Sequence, residues 1–335
     1  MSKLEIKRAS VRVPASTSNL GAGFDCVGMA VGKWLRVSVE VRFDGRGDAS
    51  MLRTGTLRAL DEAGHSDVRE DLIYVGFAKV WRTRDGGLGI DGSVHFEADS
   101  DIPIGRGLGS SAAALLAGAA LANQVFELGL DTPTLAQICA RIEGHGDNVG
   151  ASALGGAILV TPNCQALLFT PLAVHESLSF AFAVPDFETS TELARASLPS
   201  HVSFRTAVTA AAKSAALIQG LATANRELLT AGLADVLHVE HRKPLVPHYE
   251  RVVRSACGAG AFGATLSGSG SSLVAVAPRE TAPIVAGAMV AAWLGLNVGA
   301  AGFVARVCPE GLSAASPSNH HTVAPTHLPR NIACP

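Results

Sequence analysis

The clearest periodic pattern in the chain is an alternation of apolar and polar positions over residues 35–43. Charged or hydroxyl side chains stand between its apolar members, which are Leu35, Val37, Val39, Val41 and Phe43. A period of two is typical of a β-strand with one buried face, so this segment is predicted to be a strand.

A second alternation leads into a glycine-rich segment. Val94, Phe96 and Ala98 alternate with polar residues, and an alanine-rich stretch at residues 111–126 follows the glycines. The pattern predicts a strand, then a loop, then a helix.

Several other stretches show helical spacing. Thr132 and Pro133 are start signals for a helix that we expect to end at Glu143. Apolar residues three or four apart predict further helices at residues 73–80, 204–218 and 249–256.

Residues 282–305 form the most membrane-like stretch. Pro283, several glycines and Asn297 interrupt it, so a helix followed by a strand is the better interpretation. We expect no membrane span.

The chain of 335 residues exceeds what a single hydrophobic core usually supports, so two domains are expected. Short apolar runs separated by proline and asparagine follow Gly155 and Gly156. We therefore predict an N-terminal domain at residues 1–170 and a C-terminal domain at residues 171–312. Residues 313–335 are rich in proline, serine and histidine and lack apolar periodicity, which predicts a disordered tail.

Composition narrows the class of ligand. Hydrophobic residues make up 48% of the chain and charged residues 17%, which is typical of a globular protein. There are 27 basic and 29 acidic residues, a net charge of -2, so no basic surplus exists to bind nucleic acid or an anionic membrane. A small-molecule ligand is expected.

The spacing of the cysteines indicates which cellular compartment to expect. Six cysteines lie far apart without a CxxC pair, which favours reduced thiols over disulfides or a zinc site. The first residues have no apolar core of signal-peptide length, so a cytoplasmic location is expected. His145, His238 and His241 are expected to form hydrogen bonds, because no zinc-ligand spacing accompanies them.

The glycine-rich segment is the main candidate for chemistry. It places three alternate glycines before a predicted helix, and glycines allow backbone N–H groups to surround an anion at a helix N-terminus. We predict that it binds phosphate, the alternative being a flexible turn; it has neither a Walker nor a GxGxxG pattern. Its residues are Pro103, Ile104, Gly105, Arg106, Gly107, Leu108, Gly109, Ser110, Ser111, Ala112 and Ala113.

This segment resembles the phosphate loop of the GHMP kinases, a family named after galactokinase, homoserine kinase, mevalonate kinase and phosphomevalonate kinase. Residues 14–25, 143–148 and 265–270 are similar, in order, to other motifs of the family. Residues 190–195 and 238–247 resemble its homoserine kinase branch. Gly146 stands where the family usually has proline.

The resemblance implies an α+β fold with the two-lobe GHMP kinase architecture. The N-terminal lobe would resemble domain 2 of ribosomal protein S5, and the C-terminal lobe would be ferredoxin-like. ATP and Mg²⁺ would be the cofactors, L-homoserine the substrate, and a homodimer the assembly.

The resemblance also implies roles for single residues. Ser111 and Glu143 would bind the metal ion, since Mg²⁺ takes few protein ligands and prefers oxygen. In the acceptor site, Arg195 and Arg242 would bind the substrate carboxylate, Asp25 its ammonium group, and Asn19 and Asn148 its alcohol.

The attacking hydroxyl must lose a proton. Asp147 is the local candidate for a general base, although positioning and charge stabilisation can also supply most of the rate. Asp147 and Asn148 are thus the predicted catalytic residues. A kinase for another small alcohol such as mevalonate, and a non-catalytic sensor that binds ATP or an amino acid, remain alternatives.

Overall fold

A computed structural model of the chain describes residues 5–43, 50–54, 71–83, 92–164 and 166–315. In this part of the chain the strands form one seven-stranded and one four-stranded sheet. The strands are β1 (Glu5–Asn19), β2 (Gly23–Phe43), β3 (Ser50–Thr54), β4 (Gly92–Ser100), β5 (Ala157–Asn163), β6 (Ala166–Leu172), β7 (Leu178–Pro185), β8 (Gly263–Leu266), β9 (Leu273–Pro278), β10 (Ala300–Ala305) and β11 (Ser313–Ala314). The helices are α1 (Leu72–Trp81), α2 (Ser110–Val125), α3 (Thr132–Glu143), α4 (Asp147–Leu154), α5 (Thr191–Ala196), α6 (Phe204–Thr223), α7 (Arg226–Leu233), α8 (Val239–Arg242), α9 (Tyr249–Gly258) and α10 (Ala282–Leu294), and a short 3₁₀ helix spans Lys243–Leu245.

The larger sheet has the strand order β11-β1-β2-β4-β3, and β5 pairs with both β2 and β6. The strand predicted at residues 35–43 is confirmed as the second half of β2, where it lies between β1 and β4. Leu35, Val37, Val39 and Val41 are all at most 3% exposed, so the alternation does mark a buried face.

Helices α2 and α3 lie where the sequence predicted them. The strand, loop and helix predicted around the glycines are confirmed as β4, the loop and α2. Helix α3 ends at Glu143, as expected, but its N-cap is Asp131, whose side chain accepts a hydrogen bond from the Thr134 N–H. Helix α4 begins four residues further on, at Asp147.

The smaller sheet has the order β10-β7-β9-β8, with every pair antiparallel. Along the chain the order is β7, a group of helices, β8, β9, α10 and β10. This βαββαβ arrangement is ferredoxin-like, as predicted.

Residues 282–305 form helix α10 and strand β10, which confirms the prediction for this stretch. Among the described residues, none of the helices combines the length and apolarity that crossing a membrane requires.

The predicted tail differs in its first residues. Strand β11 pairs with β1, with Ala314 opposite Val11 and Ser313 opposite Arg12. The edge of β1 offers unpaired backbone groups, and this pairing satisfies them. The rest of the predicted tail, residues 316–335, lies outside the described residues.

Helix α6 confirms the prediction at residues 204–218, but the apolar positions that predicted it face outward. Phe204 is 87% and Val208 54% exposed. The buried face of α6 consists instead of Ala210, Leu217 and Leu221.

Candidate active site

The glycine-rich loop owes its shape to backbone that other residues rarely adopt. Gly107 and Gly109 both have φ of 68°. A Cβ atom on Gly109 would lie 2.1 Å from Oγ of Ser16, and one on Gly107 would lie 2.0 Å from the carbonyl oxygen of Ser267. Both positions therefore require glycine.

The loop leads directly into the N-terminus of α2. Gly109 is the N-cap, and no side chain from the described residues caps the helix. The first N–H groups and the helix dipole thus favour an anion here. The side chains of Leu108, Ala112 and Ala113 are buried in the core, so these residues can offer only backbone groups to a ligand.

Ser111 and Glu143 lie together beside this helix N-terminus. The Ser111 hydroxyl donates a hydrogen bond to the Glu143 carboxylate. Hydroxyl and carboxylate oxygens suit Mg²⁺, which usually takes one or two carboxylates plus substrate phosphates. In the part of the chain that the structure describes, no group of three or more His, Cys, Asp or Glu side chains could hold a metal ion by itself.

The end of β1 presents buried polar side chains to Asn148. Oδ1 of Asn148 accepts a hydrogen bond from Ser16 Oγ (3.0 Å), and its Nδ2 donates to Ser18 Oγ (3.0 Å). Ser152 donates in turn to Ser16 (2.9 Å). Our sequence reasoning missed these serines. The available signal was a run of hydroxyl residues at a strand end that is otherwise apolar.

Asp147 is fully buried and bound to His145. Its Oδ1 lies 2.6 Å from Nδ1 of His145 and accepts from the Asn148 N–H (2.8 Å). Burial acts to raise the pKa of Asp147, but the hydrogen bond and charge of His145 outweigh it and lower the pKa. Burial likewise opposes the charged form of His145, yet Asp147 and Glu143 together raise its pKa. The contact therefore favours the charged forms of both side chains.

Asp25 and Arg195, which belong to different lobes, form a two-pronged ion pair. The Arg195 guanidinium donates to both carboxylate oxygens of Asp25, at 3.1 and 2.9 Å. Asp25 is held from behind, because its N–H donates to Oδ1 of Asn19 (2.9 Å) and Nδ2 of Asn19 donates to the Gly268 carbonyl (2.7 Å). Both charged side chains are about one-third exposed and thus accessible to a ligand.

Arg242 is only 2% exposed. Its Nε donates to the Ala194 carbonyl (3.1 Å), and its guanidinium lies 5.0 Å from the centre of the Phe24 ring. Burial is the main cause that lowers its pKa, and Asp25 opposes this effect. Ala194 precedes Arg195 and Phe24 precedes Asp25, so Arg242 lies beside the Asp25–Arg195 pair.

The side chain of Arg106 is bound mainly to groups of the second lobe. Its guanidinium donates to the carbonyls of Pro185 (2.9 Å) and Asp186 (2.7 Å) in the second lobe and to Ile104 (3.1 Å) in its own loop. It also lies 2.9 Å from the Glu188 carboxylate. The structure thus makes Arg106 a link between the lobes.

The structure therefore brings the predicted residues together. Gly109 adjoins Asn148, which binds the end of β1. The same end of β1 holds Asp25, and Asp25 binds Arg195. The glycine-rich loop and the N-terminus of α2 thus lie beside a cluster that carries both a carboxylate and guanidinium groups.

Two family models match the chain. The model described as the GHMP kinases N terminal domain matches residues 71–156, and that described as GHMP kinases C terminal matches residues 212–294. The chain belongs to the GHMP kinases and is an ATP-dependent kinase.

Comparison with individual relatives shows to which branch of the GHMP kinases the chain belongs. The chain is 36% identical to the homoserine kinase of Picosynechococcus sp. over 90% of its own length and 97% of the relative's. It is also 36% identical to that of Microchaete diplosiphon, over 86% of this chain and 91% of the relative. The crystal structure of the Cytophaga hutchinsonii homoserine kinase superposes with a TM-score of 0.80 at 26% identity, covering 94% of this chain and 98% of that one. Within the family, the chain falls in the homoserine kinase branch.

Proposed function

We propose that this chain transfers the γ-phosphoryl group of ATP to the hydroxyl of L-homoserine and releases ADP and O-phospho-L-homoserine, a step of threonine biosynthesis. The observation that carries the proposal is the Asp25–Arg195 pair, with Arg242 close by, next to the glycine loop. An amino-acid zwitterion needs opposite charges of this kind, whereas mevalonate has a carboxylate but no ammonium group and would have no use for Asp25.

The nucleotide phosphates bind the backbone of residues 103–113. The positive-φ glycines and the N-terminus of α2, which no side chain of the described residues caps, support this role. Arg106 contributes only its backbone to this role, because its guanidinium is engaged by the second lobe.

Ser111 and Glu143 would hold Mg²⁺, and the contact between their oxygens supports that pairing. A bound magnesium ion would neutralise charge on the phosphates.

On the acceptor side, Asp25 binds the ammonium group, while Arg195 and Arg242 bind the carboxylate. A zwitterion can exchange with the Asp25–Arg195 pair because both side chains are partly exposed. Asn19 fixes the backbone at Asp25, and Asn148 lies where the glycine loop meets the end of β1. Asn148 is therefore suited to orienting the hydroxyl.

Asp147 does not serve as the general base. Its carboxylate is fully buried and bound to His145, and its lowered pKa makes it a weak proton acceptor. Asp147 instead holds the start of α4 and thereby Asn148. In-line placement and charge stabilisation supply the rate.

The chain acts as a homodimer in the cytoplasm. The exposed apolar positions on α6, Phe204 and Val208, are suited to burial against a second copy. The described cysteines are free thiols, a state that a reducing compartment would preserve.

The test is a coupled ADP-release assay with ATP and Mg²⁺, in which L-homoserine is compared with mevalonate, L-serine and L-threonine. Homoserine-dependent release is expected. Release with mevalonate alone would support a kinase for another alcohol and overturn the assigned substrate. No release with any alcohol, together with ATP binding in calorimetry, would favour a sensor.

A further inference from the structure

His238 is completely buried beside the acceptor cluster, and none of the roles above uses it. It lies at the start of α8 and contacts the turn that joins β1 to β2. Its Nε2 is 3.1 Å from the Gly21 carbonyl oxygen. Its ring stacks on Phe24, with 4.8 Å between the ring centres. The histidine thus joins the turn that carries Asp25 to the helix that carries Arg242.

The partners of the two ring nitrogens fix the tautomer of His238. The Gly21 carbonyl can only accept a hydrogen bond, so Nε2 must carry the proton. Nδ1 lies 3.4 Å from a terminal nitrogen of the Arg242 guanidinium, which can only donate. Nδ1 must therefore keep its lone pair, and the ring is neutral.

The charged groups around His238 act in both directions. Asp235 favours the charged ring: one of its oxygens accepts from the N–H groups of residues 237–239, and the other lies 4.0 Å from Nε2. Asp25 acts in the same sense from the β1–β2 turn, whereas Arg242 disfavours the charged ring. Burial is the largest influence, and the net effect lowers the pKa of His238.

We propose that neutral His238 is a positioning residue for substrate binding, which holds the Arg242 guanidinium against the β1–β2 turn in the orientation that binds the acceptor carboxylate. The inference rests on the proposed function. Two anchors support it, because Nε of Arg242 is bound to Ala194 and one terminal nitrogen to His238. The other N–H groups of the guanidinium can then meet a carboxylate.

Two substitutions separate the two hydrogen bonds. In His238→Asn the side-chain oxygen can take the place of Nδ1 and keep the acceptor for Arg242. In His238→Gln the amide N–H can reach the Gly21 carbonyl, but the acceptor position beside Arg242 is empty. His241→Gln is the matched control, since His241 is exposed on the same short helix.

Steady-state kinetics with L-homoserine and ATP test the proposal. For His238→Gln we expect the KM for homoserine to rise about tenfold, the factor of one lost hydrogen bond to a charged group, while kcat and the KM for ATP stay near wild type. His238→Asn should restore most of the homoserine affinity, and His241→Gln should change nothing.

The pH dependence supplies a second readout. Protonation of Nδ1 would remove the acceptor and place a positive charge against Arg242. Because the pKa is lowered, the wild-type KM for homoserine should rise only below about pH 6.5, the ordinary value for histidine. That rise should be absent in His238→Asn.

Wild-type turnover on homoserine is measured first, and its absence would overturn the proposed function and this inference with it. If the wild type turns over and His238→Gln keeps the wild-type KM for homoserine, the inference alone is wrong. The inference would also be overturned if the Gln and Asn variants showed equal decreases in kcat, equal increases in both KM values and lowered melting temperatures. Such a result would indicate a purely structural role.

Discussion

The phosphate side and the acceptor side of the site are neighbours that are built in different ways. The glycine loop is made from consecutive residues, several of them glycines with positive φ, and in the proposed function its backbone provides the binding groups. The acceptor side joins side chains from distant segments, since Asp25 and Arg195 are 170 residues apart. Substitution of a single glycine should thus abolish binding at the loop. Substitution of one side chain in the acceptor cluster should reduce affinity only in part.

The two sides also differ in exposure. The Asp25–Arg195 pair is partly open to solvent, while Arg242 is almost completely buried. A buried guanidinium needs fixed partners, and an exposed pair can exchange its partner for a ligand. In the proposed function, this difference would let one cluster be both rigid and able to bind a zwitterion.

The largest expected effect comes from the proposed metal ligand on the phosphate side. Glu143→Ala should lower kcat about a thousandfold, the upper range for loss of a charge-stabilising group, without unfolding the protein. ADP release at several Mg²⁺ concentrations and a circular-dichroism melt would measure this. Glu127→Ala, at a highly exposed carboxylate, is the control. Unchanged turnover in Glu143→Ala would exclude the metal role.

The next effect tests the backbone of the loop. Gly109→Ala should lower kcat/KM for ATP about a hundredfold, because the added Cβ would displace the loop from Ser16. Gly129→Ala isolates the cost of the backbone angle, since Gly129 has φ of 69° and nothing within 4 Å of an added Cβ. If both variants lose ATP turnover equally, close packing is not what the loop requires.

On the acceptor side, Arg242→Lys should raise the KM for homoserine about tenfold and leave the KM for ATP unchanged, because lysine cannot bind Ala194 and a carboxylate with the same fixed geometry. Initial-rate kinetics with each substrate varied would measure both constants. Arg251→Lys, on an exposed position of α9, is the control. An increase in the KM for ATP instead would place Arg242 on the phosphate side.

The smallest expected effect on activity is at Arg106, whose side chain could either link the loop to the second lobe or contact phosphate. Arg106→Met should lower the free energy of unfolding by about 1–3 kcal/mol through loss of its bonds to the second lobe, while ATP affinity stays close to wild type. Urea denaturation and calorimetry would measure the two quantities. Arg36→Met removes an exposed ion pair and should cost little. A large loss of ATP affinity at unchanged stability would mean that Arg106 contacts phosphate.

Local patterns predicted much of this molecule. The strand at residues 35–43, the end of α3 at Glu143 and the loop before α2 follow from periodicity, capping and glycine chemistry. Each of these signals acts over a few residues. They therefore depend little on contacts with distant parts of the chain.

Other features depend on contacts that no local pattern contains. The direction of the Arg106 side chain, the serines that bind Asn148 and the pairing of β11 with β1 all join segments far apart in sequence. On α6 the apolar positions correctly predicted a helix but not its buried face. Burial is decided by the element that packs against a helix, and the apolar stripe alone does not identify that element.

By itself, the sequence determined where the glycine-rich loop and the strands and helices around it would form, because glycine conformations and hydrophobic periods act locally. Only the tertiary structure decided how charges pair. Asp25 meets Arg195 because the two lobes pack together, and burial in the folded chain sets the surroundings of the sequence-local pairs Asp147–His145 and His238–Arg242, since electrostatic partners and burial depend on distances through space.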